Sequence, residues 1–243
     1  MKQIKTLLFA CSFFFSISGY SNIKIGTLHY DPPFIISPSQ GFDIDLIHLL
    51  CTRLQQHCQL LYMDGEQLYQ ALQDGTVDLA IGGISISPLR KTNYIFSLPY
   101  LLSKGQFLTL KRSKIHSLDD LKGTTVGVIH DDLSGGIYHK YLVDHYQGQF
   151  QINEYNTVEN MFAALNNNNI AAVFLYRSDT NYWNHNGGDL FKTVGPVVRI
   201  GEGIAIMALP RQEELIQRIN KLLQQIEADN SYMNLYKTYF YNN

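Results

Sequence analysis

The amino-acid sequence predicts an α/β protein, because short apolar runs of strand length alternate along the chain with segments whose apolar residues recur at helical spacing. This alternation favours largely parallel sheets flanked by helices. The composition, 45% hydrophobic and 16% charged, is that of a globular protein. The 19 Lys and Arg residues nearly balance the 21 Asp and Glu residues, so the sequence lacks the basic field that nucleic-acid binding requires.

The N-terminal segment predicts an exported protein. Lys2 and Lys5 precede an apolar run at residues 6–17, and serine and glycine follow this run. The pattern is typical of a cleavable secretory signal, and the run is shorter than the roughly 20 apolar residues of a membrane span. We therefore expect residues 1–21 to be removed and the mature protein to be periplasmic.

Removal of this segment leaves two cysteines, Cys51 and Cys58. An even count in an exported chain predicts a disulfide, because disulfides form and persist in oxidising compartments. The loop between the two residues is short, so the bond is expected to add only about 2 kcal/mol. Its expected role is structural.

The first half of the mature chain contains three predicted strands and two predicted helices. The strands lie at residues 23–27, 59–62 and 77–81, and the helices begin at Phe42 and span 67–73. Pro32 and Pro33 cannot continue the first strand, since proline removes a ladder donor and fixes φ. Gly75 closes the second helix, and Gly82 with Gly83 breaks the third strand.

The second half repeats the alternation. A capped helical turn is expected at 117–121, strands at 125–129 and 171–175, an apolar segment at 204–209, and helices at 135–145, 158–165 and 213–228. Pro210 separates the apolar segment from the last helix. That helix is amphipathic, which predicts that one side of it packs on a core.

The sequence contains no familiar catalytic, cofactor or metal motif. The histidines His29, His130, His139 and His145 lack the i, i+4 spacing with an adjacent acid that marks a zinc helix. There is no G-x-S-x-G elbow and no phosphate-binding loop. We expect neither a cofactor nor a metal, and no enzymatic activity.

Nine features resemble, in order and spacing, those of a known family. They are residues 31–34, 41–46, the Cys51 and Cys58 pair, 72–78, 82–91, 96–100, 117–123, 126–128 and 228–232. With these features the chain resembles the periplasmic amino-acid-binding proteins of ABC importers, in particular the group that binds arginine, lysine and histidine. The resemblance spans nearly the whole mature chain.

The resemblance implies two α/β lobes joined by two strands, which close on a ligand held between them. Residues 22–104 with 196–243 are expected to form lobe 1, and residues 105–195 to form lobe 2. The protein is expected to capture a free amino acid and to present it to an inner-membrane ABC permease. A monomer without affinity for nucleic acid fits this role.

Three residues match ligand-binding positions of the family. Arg90 matches the arginine that takes the ligand's carboxylate, and a planar guanidinium suits that group because it offers two parallel charge-assisted bonds. Ser85 matches a residue that bonds the ligand through its hydroxyl and its backbone N–H. Gly83 matches a residue whose backbone faces the ligand's amino group, and glycine permits this close approach.

Other positions depart from the family pattern. Leu28 stands where the family carries an acid. Asp31 stands where the family carries an aromatic that stacks on the ligand, and the neighbouring Tyr30 offers a ring instead. The second stacking aromatic falls at Gly65, beside Asp64. The lobe 2 aspartate that holds the ligand's ammonium group falls at Tyr176.

The acidic replacements point to a cationic ligand, with arginine as the first expectation. A buried ammonium needs an anionic partner, and Asp31, Asp64 and Asp132 are expected to supply negative charge if they face the cleft. Asp131 and Asp179 are further candidates for this role. The altered ammonium position also leaves open a binding module or sensor for a modified solute. A periplasmic dehydratase of prephenate or arogenate on the same fold is a third alternative.

Overall fold

The structure is a computed structural model that describes residues 22–130 and 136–241. The predicted export signal and the candidate Asp132 lie outside the described residues. Within them the chain forms two five-stranded sheets with helices packed against them. The two-lobed α/β architecture is therefore confirmed, and each lobe is named here by its sheet.

The first lobe is built on a mixed sheet. Its strands are β1 (Ile23–Leu28), β2 (Cys58–Met63), β3 (Leu79–Ala80), β4 (Ile95–Phe96) and β10 (Met207–Ala208), in the spatial order β2-β1-β3-β10-β4. β1 pairs in parallel with β2 and β3, whereas β10 pairs antiparallel with β3 and β4. The strand expected at 77–81 is shorter than predicted, although Asp78 and Ile81 still donate backbone hydrogen bonds to β1.

The second lobe repeats this arrangement. Its strands are β5 (Lys104–Leu110), β6 (Thr125–Ile129), β7 (Gln151–Tyr155), β8 (Ala172–Tyr176) and β9 (Phe191–Arg199), in the spatial order β7-β6-β8-β5-β9. β6 pairs in parallel with β7 and β8, and β5 pairs antiparallel with β8 and β9. In both sheets the antiparallel strands lie next to the points where the chain crosses between lobes, which explains why half of the pairings are not parallel.

The α-helices cover the two sheets. They are α1 (Phe42–Leu54), α2 (Gly65–Asp74), α3 (Gly136–Tyr146), α4 (Val158–Asn166), α5 (Arg177–Asn186), α6 (Glu213–Ala228) and α7 (Ser231–Tyr236). α6 has the bounds that its periodicity predicts, and Ile216, Ile219, Leu223 and Ile226 form its buried side. The sequence predicted neither α5 nor α7, and none of the strands β4, β5, β7 and β9.

The disulfide between Cys51 and Cys58 is confirmed. Cys51 lies on α1, and Gln55, with φ 55°, ends this helix in the left-handed region. The chain then reverses, so Cys58 at the start of β2 comes within 6.1 Å of Cys51 between Cα atoms. The bond staples α1 to the neighbouring strand of the first lobe.

The C-terminal segment returns to the first lobe. The Tyr239 hydroxyl donates to Asp45 Oδ2 at 2.6 Å and accepts from the Gly41 N–H at 3.2 Å. The Phe240 ring packs on Phe42 with centroids 4.9 Å apart. Throughout the described ranges, no helix combines the length and the apolar character that crossing a membrane requires.

Candidate functional site

A cavity of about 150 Å³ lies between the two lobes. Most of its wall is formed where parallel strands of both sheets end. From the first lobe the wall takes residues 28–31 at the end of β1, 63–65 at the end of β2 and 82–84 after β3. From the second lobe it takes residues 129–130 at the end of β6, 156–159 after β7 and 175–176 at the end of β8. In α/β proteins the carboxyl ends of parallel strands are the usual place for a ligand. A cavity of this size suits a small solute.

The turn after β3 brings the backbone of Gly83 to the cavity. Gly83 has φ 63°, in the left-handed region that glycine adopts without strain. A Cβ there would lie 3.1 Å from the Phe34 ring and 3.3 Å from Asp31 Oδ2, so any side chain would force these neighbours to shift. The predicted close approach at this position therefore depends on glycine.

A buried carboxyl group supports this turn from behind. Asp43 Oδ2 accepts the Gly83 N–H and the Tyr100 hydroxyl, both at 2.9 Å. Burial raises the pKa of Asp43 to about 7, although these hydrogen bonds lower it. Oδ1 of Asp43 has no hydrogen-bond partner among the described residues.

Asp31 lies beside Gly83 at the inner wall of the cavity. Its N–H donates to the Ile35 carbonyl and its carbonyl accepts the Ile35 N–H, both at 2.9 Å, so its backbone is fixed in a tight turn. The short distance from Asp31 Oδ2 to the Cβ position at Gly83 places the carboxylate against the glycine turn. Tyr30 also lines the cavity.

Tyr176 joins the two lobes directly. The side chain is 4% exposed, and its hydroxyl donates to Ser85 Oγ at 2.7 Å. Ser85 Oγ in turn bonds Ser103 Oγ. Tyr176 lines the cavity, whereas Ser85 lies behind it. The position where the resemblance implies an aspartate is thus filled here by a phenol that spans the cleft.

Arg90 is buried next to the cavity rather than in its wall. The residue is 4% exposed, and its Nη1 donates to the Ser85 carbonyl at 2.7 Å. Its guanidinium carbon lies 5.5 Å from the centroid of Tyr69, a distance suited to a cation–π contact. Tyr69 does line the cavity, so its ring lies against both the guanidinium and the cavity.

Two exposed carboxylates lie at the outer part of the cavity wall. Asp64 precedes α2 on the first lobe, and Glu159 occupies the first turn of α4 on the second lobe. A Cβ at Gly65, the first residue of α2, would meet nothing within 4 Å. The absence of the expected aromatic therefore leaves open space beside Asp64.

The structure thus brings together five of the predicted residues as cavity lining: Gly83, Tyr30, Asp31, Asp64 and Tyr176. Asp179 is buried but does not line the cavity; burial raises its pKa well above the usual range, the charge of Asp43 raises it further, and its Oδ1 accepts the Ser178 hydroxyl at 2.9 Å. Asp131 and Asp132 lie outside the described residues. Among the residues that the structure covers, no three His, Cys, Asp or Glu side chains are grouped to hold a metal ion.

Sequence reasoning missed Asp43 and Glu159. A signal for Asp43 exists, because the residue shares helical spacing with the buried Leu46, Ile47 and Leu50. A carboxyl on an otherwise apolar helix face indicates a buried group that needs hydrogen-bond partners. Glu159 offers no comparable signal. An acid in the first turn of a helix is common, and only the fold shows that it meets the cleft.

Two α/β lobes with a small-solute cavity between the carboxyl ends of their strands define a two-lobed binding protein. The family model of bacterial extracellular solute-binding proteins, family 3, matches residues 23–242. The chain belongs to this family.

Several relatives are similar over nearly their full length. ABC transporter arginine-binding protein 1 of Escherichia coli K12 is 27% identical over 247 residues, with 99% of each chain covered. The histidine-binding periplasmic protein of the same organism is 27% identical over 231 residues, covering 90% of this chain and 87% of the relative. The crystal structure of an arginine 3rd transport system periplasmic binding protein from Legionella pneumophila aligns with a TM-score of 0.83 and 35% identity, covering 90% of this chain and 99% of that chain.

Proposed function

We propose that this protein is the periplasmic solute-binding component of an ABC importer and that it captures a basic amino acid, with arginine as the preferred ligand. The observation that carries the proposal is the inter-lobe cavity, where the Asp31 carboxylate lies against the Gly83 turn. A carboxylate suits an ammonium group, because it accepts charge-assisted hydrogen bonds from it. The names of the E. coli and Legionella relatives support arginine.

Each predicted residue has a role in this proposal. Asp31 serves as the anionic partner of the ligand's α-ammonium group. The resemblance implies an aspartate for this role at the position of Tyr176. Gly83 offers its backbone to the same end of the ligand, and Arg90 takes the carboxylate, which requires Tyr69 to move aside. Ser85 holds Arg90 through its carbonyl and Tyr176 through its hydroxyl. Asp64 adds negative charge near the ligand's side chain, as does Asp132 in the segment beyond β6.

Binding acts through closure of the lobes, with no bond made or broken in the solute. A solute that contacts both walls of the cavity stabilises the arrangement in which the walls are close, so it shifts the equilibrium toward the closed form. The closed complex, a monomer, is the form presented to the membrane permease. Export by the N-terminal signal places the protein in the periplasm.

The lobe boundaries are part of the proposal: residues 22–104 with 196–243, and residues 105–195, although the strands of the second sheet extend slightly past them, to Lys104 on β5 and to Arg199 on β9. Lys104 and Arg199 are paired at the end of the second sheet, where both crossing segments leave it. The contacts of Tyr239 with α1 favour assignment of the C-terminal segment to the first lobe.

A thermal-shift panel tests the function. The mature protein is unfolded and refolded to remove any bound solute, then melted with each of the twenty amino acids and with ornithine. A ligand at a hundredfold excess over its Kd adds about 2.7 kcal/mol, which raises the melting temperature by several degrees. Arginine, lysine and ornithine are expected to give the largest shifts. No response to any of them would overturn the proposal.

A further inference from the structure

We propose that Glu159 is a specificity-determining residue, whose carboxylate pairs with the cation at the end of the solute's side chain, across the cleft from Asp31 and Asp64. The inference rests on the proposed function and deepens it. It adds a residue of the second lobe to the recognition of a basic side chain.

The charge of the cavity wall is the first observation. Asp31, Asp64 and Glu159 contribute carboxylates, while no lysine or arginine belongs to the described lining. The first two come from the first lobe and the third comes from the second lobe. Three negative charges around one small cavity repel each other when the lobes approach, and a bound cation removes this repulsion.

The positions of the acids divide the cavity into an inner and an outer part. Asp31 is half-buried against Gly83, whereas Asp64 and Glu159 are exposed at the outer wall. A basic amino acid has two cationic groups separated by its side chain. Asp31 suits the α-ammonium group, and the outer pair suits the distal guanidinium or ammonium group.

Tyr30 links the two walls electrostatically. Burial raises the pKa of the Tyr30 phenol, and the charges of Tyr182, Glu159 and Asp31 raise it further. Carboxylates from both lobes therefore act on one phenol that itself lines the cavity. This agrees with a position of Glu159 opposite Asp31.

Glu159 is available for a ligand. Among the described residues it has no ion-pair partner, whereas Glu154 of the same lobe is paired with His130 and His139. Glu159 lies in the first turn of α4, where the helix dipole favours a negative charge. The N-cap Thr157 Oγ1 accepts the Asn160 N–H at 3.2 Å, so this helix end does not depend on Glu159 for a cap.

Glu159→Gln tests the inference with two ligands of nearly the same shape. Calorimetric titration of the refolded mature protein with L-arginine is expected to show a Kd at least about tenfold weaker than in the wild type, because one charge-assisted pair is lost. L-citrulline, in which a neutral urea group replaces the guanidinium, is expected to bind both proteins equally within twofold. Glu214→Gln is the matched control, since Glu214 is an exposed acid in the first turn of α6.

The outcomes separate the two proposals. If the wild type binds arginine and Glu159→Gln binds it equally well, or if arginine and citrulline weaken by the same factor, the role of Glu159 is overturned while the proposed function stands. If the wild type binds no basic amino acid, both fail. A thermal melt of each variant without ligand shows whether folding is intact, and Glu159→Asp, which retains the charge, is expected to recover part of the arginine affinity.

Discussion

The Tyr176 hydroxyl, at the end of β8 in the second lobe, donates to Ser85 Oγ of the first lobe at 2.7 Å. Both residues are buried. The bond connects the two lobes directly. It occupies the place where the resemblance to basic-amino-acid-binding proteins implies an aspartate that would contact the ligand instead. In the proposed function these two roles are separated, because Tyr176 connects the lobes and Asp31 contacts the solute.

Tyr176→Phe is expected to favour separation of the lobes. The substitution removes the hydroxyl and keeps the ring, so one hydrogen bond worth about 1 kcal/mol is lost from the closed form only. This shifts the equilibrium toward separated lobes about fivefold. Small-angle X-ray scattering of the unliganded protein should give a larger radius of gyration than for the wild type.

Tyr62→Phe provides the control for this measurement. The Tyr62 hydroxyl donates to the Pro38 carbonyl at 2.7 Å, and both residues belong to the first lobe. Its loss should lower the melting temperature slightly and leave the radius of gyration unchanged. Equal radii for Tyr176→Phe and the wild type would mean that the Tyr176 bond does not govern the lobe equilibrium.

Gly65→Ala is expected to stabilise the protein. Gly65 is the first residue of α2, and a Cβ there meets nothing within 4 Å. Alanine in place of glycine at a position that it can adopt without strain adds about 0.4–1 kcal/mol, because it restricts the unfolded chain. The free energy of unfolding, measured in urea, should rise by this amount.

A glycine-to-alanine substitution at the other end of α2 should change the free energy of unfolding in the opposite direction. Gly75 has φ 79°, and a Cβ there would lie 2.5 Å from Arg211 Nη2. Gly75→Ala is therefore expected to lower the free energy of unfolding by about 1 kcal/mol. A loss of stability in Gly65→Ala would show that the space beside Asp64 is not available to a side chain.

Much of the fold could be predicted from the sequence where one face of an element is buried. The bounds of α6 and β6 agree with their apolar patterns, since Ile219 and Val126 lie in well-packed cores. Strands such as β7 could not be recognised. Gln151–Tyr155 lies at the edge of its sheet and has no fully buried residue, so its pattern carries little hydrophobic signal.

The site was predictable only in part, because a cleft combines residues that are distant in the chain. Asp31 and Gly83 could be proposed from motif positions, and the structure places them side by side. That Tyr176 bonds Ser85 depends on the relative placement of the two lobes, which no local pattern encodes. The same holds for Glu159, whose neighbours in the chain do not distinguish it from a solvated acid.

Arg90→Lys is expected to weaken arginine binding about 10- to 100-fold. Lysine keeps the positive charge but lacks the planar fork that holds a carboxylate and the Ser85 carbonyl together. Calorimetric titration measures the affinity, and a thermal melt without ligand measures the effect on folding. A lower melting temperature with unchanged affinity would assign Arg90 a purely structural role beside Tyr69.

Asp43→Asn is expected to change how stability depends on pH. The carboxyl group has a pKa of about 7 in the folded protein and about 3.9 when unfolded, so the folded state binds the proton more tightly. The contribution of Asp43 is therefore fully favourable below about pH 4 and is lost as the pH rises to about 7, on the order of 4 kcal/mol in total. Asparagine does not titrate, so Asp43→Asn should lack this loss.

Urea denaturation at pH 4.5, 6.0 and 7.5 measures the effect, and the quantity of interest is the difference in unfolding free energy between variant and wild type. This difference should move in favour of the variant as the pH rises, whatever constant cost the buried amide brings at the unpaired Oδ1 position. With the series extended down to pH 2.5, Asp229→Asn supplies a control of opposite sign, because hydrogen bonds from Ser231 and Arg53 lower the pKa of Asp229 to about 2. The stabilisation by Asp229 is present above about pH 4 and is lost as the pH falls toward 2. Parallel curves for Asp43→Asn and the wild type would mean that Asp43 remains ionised beneath the Gly83 turn across this range.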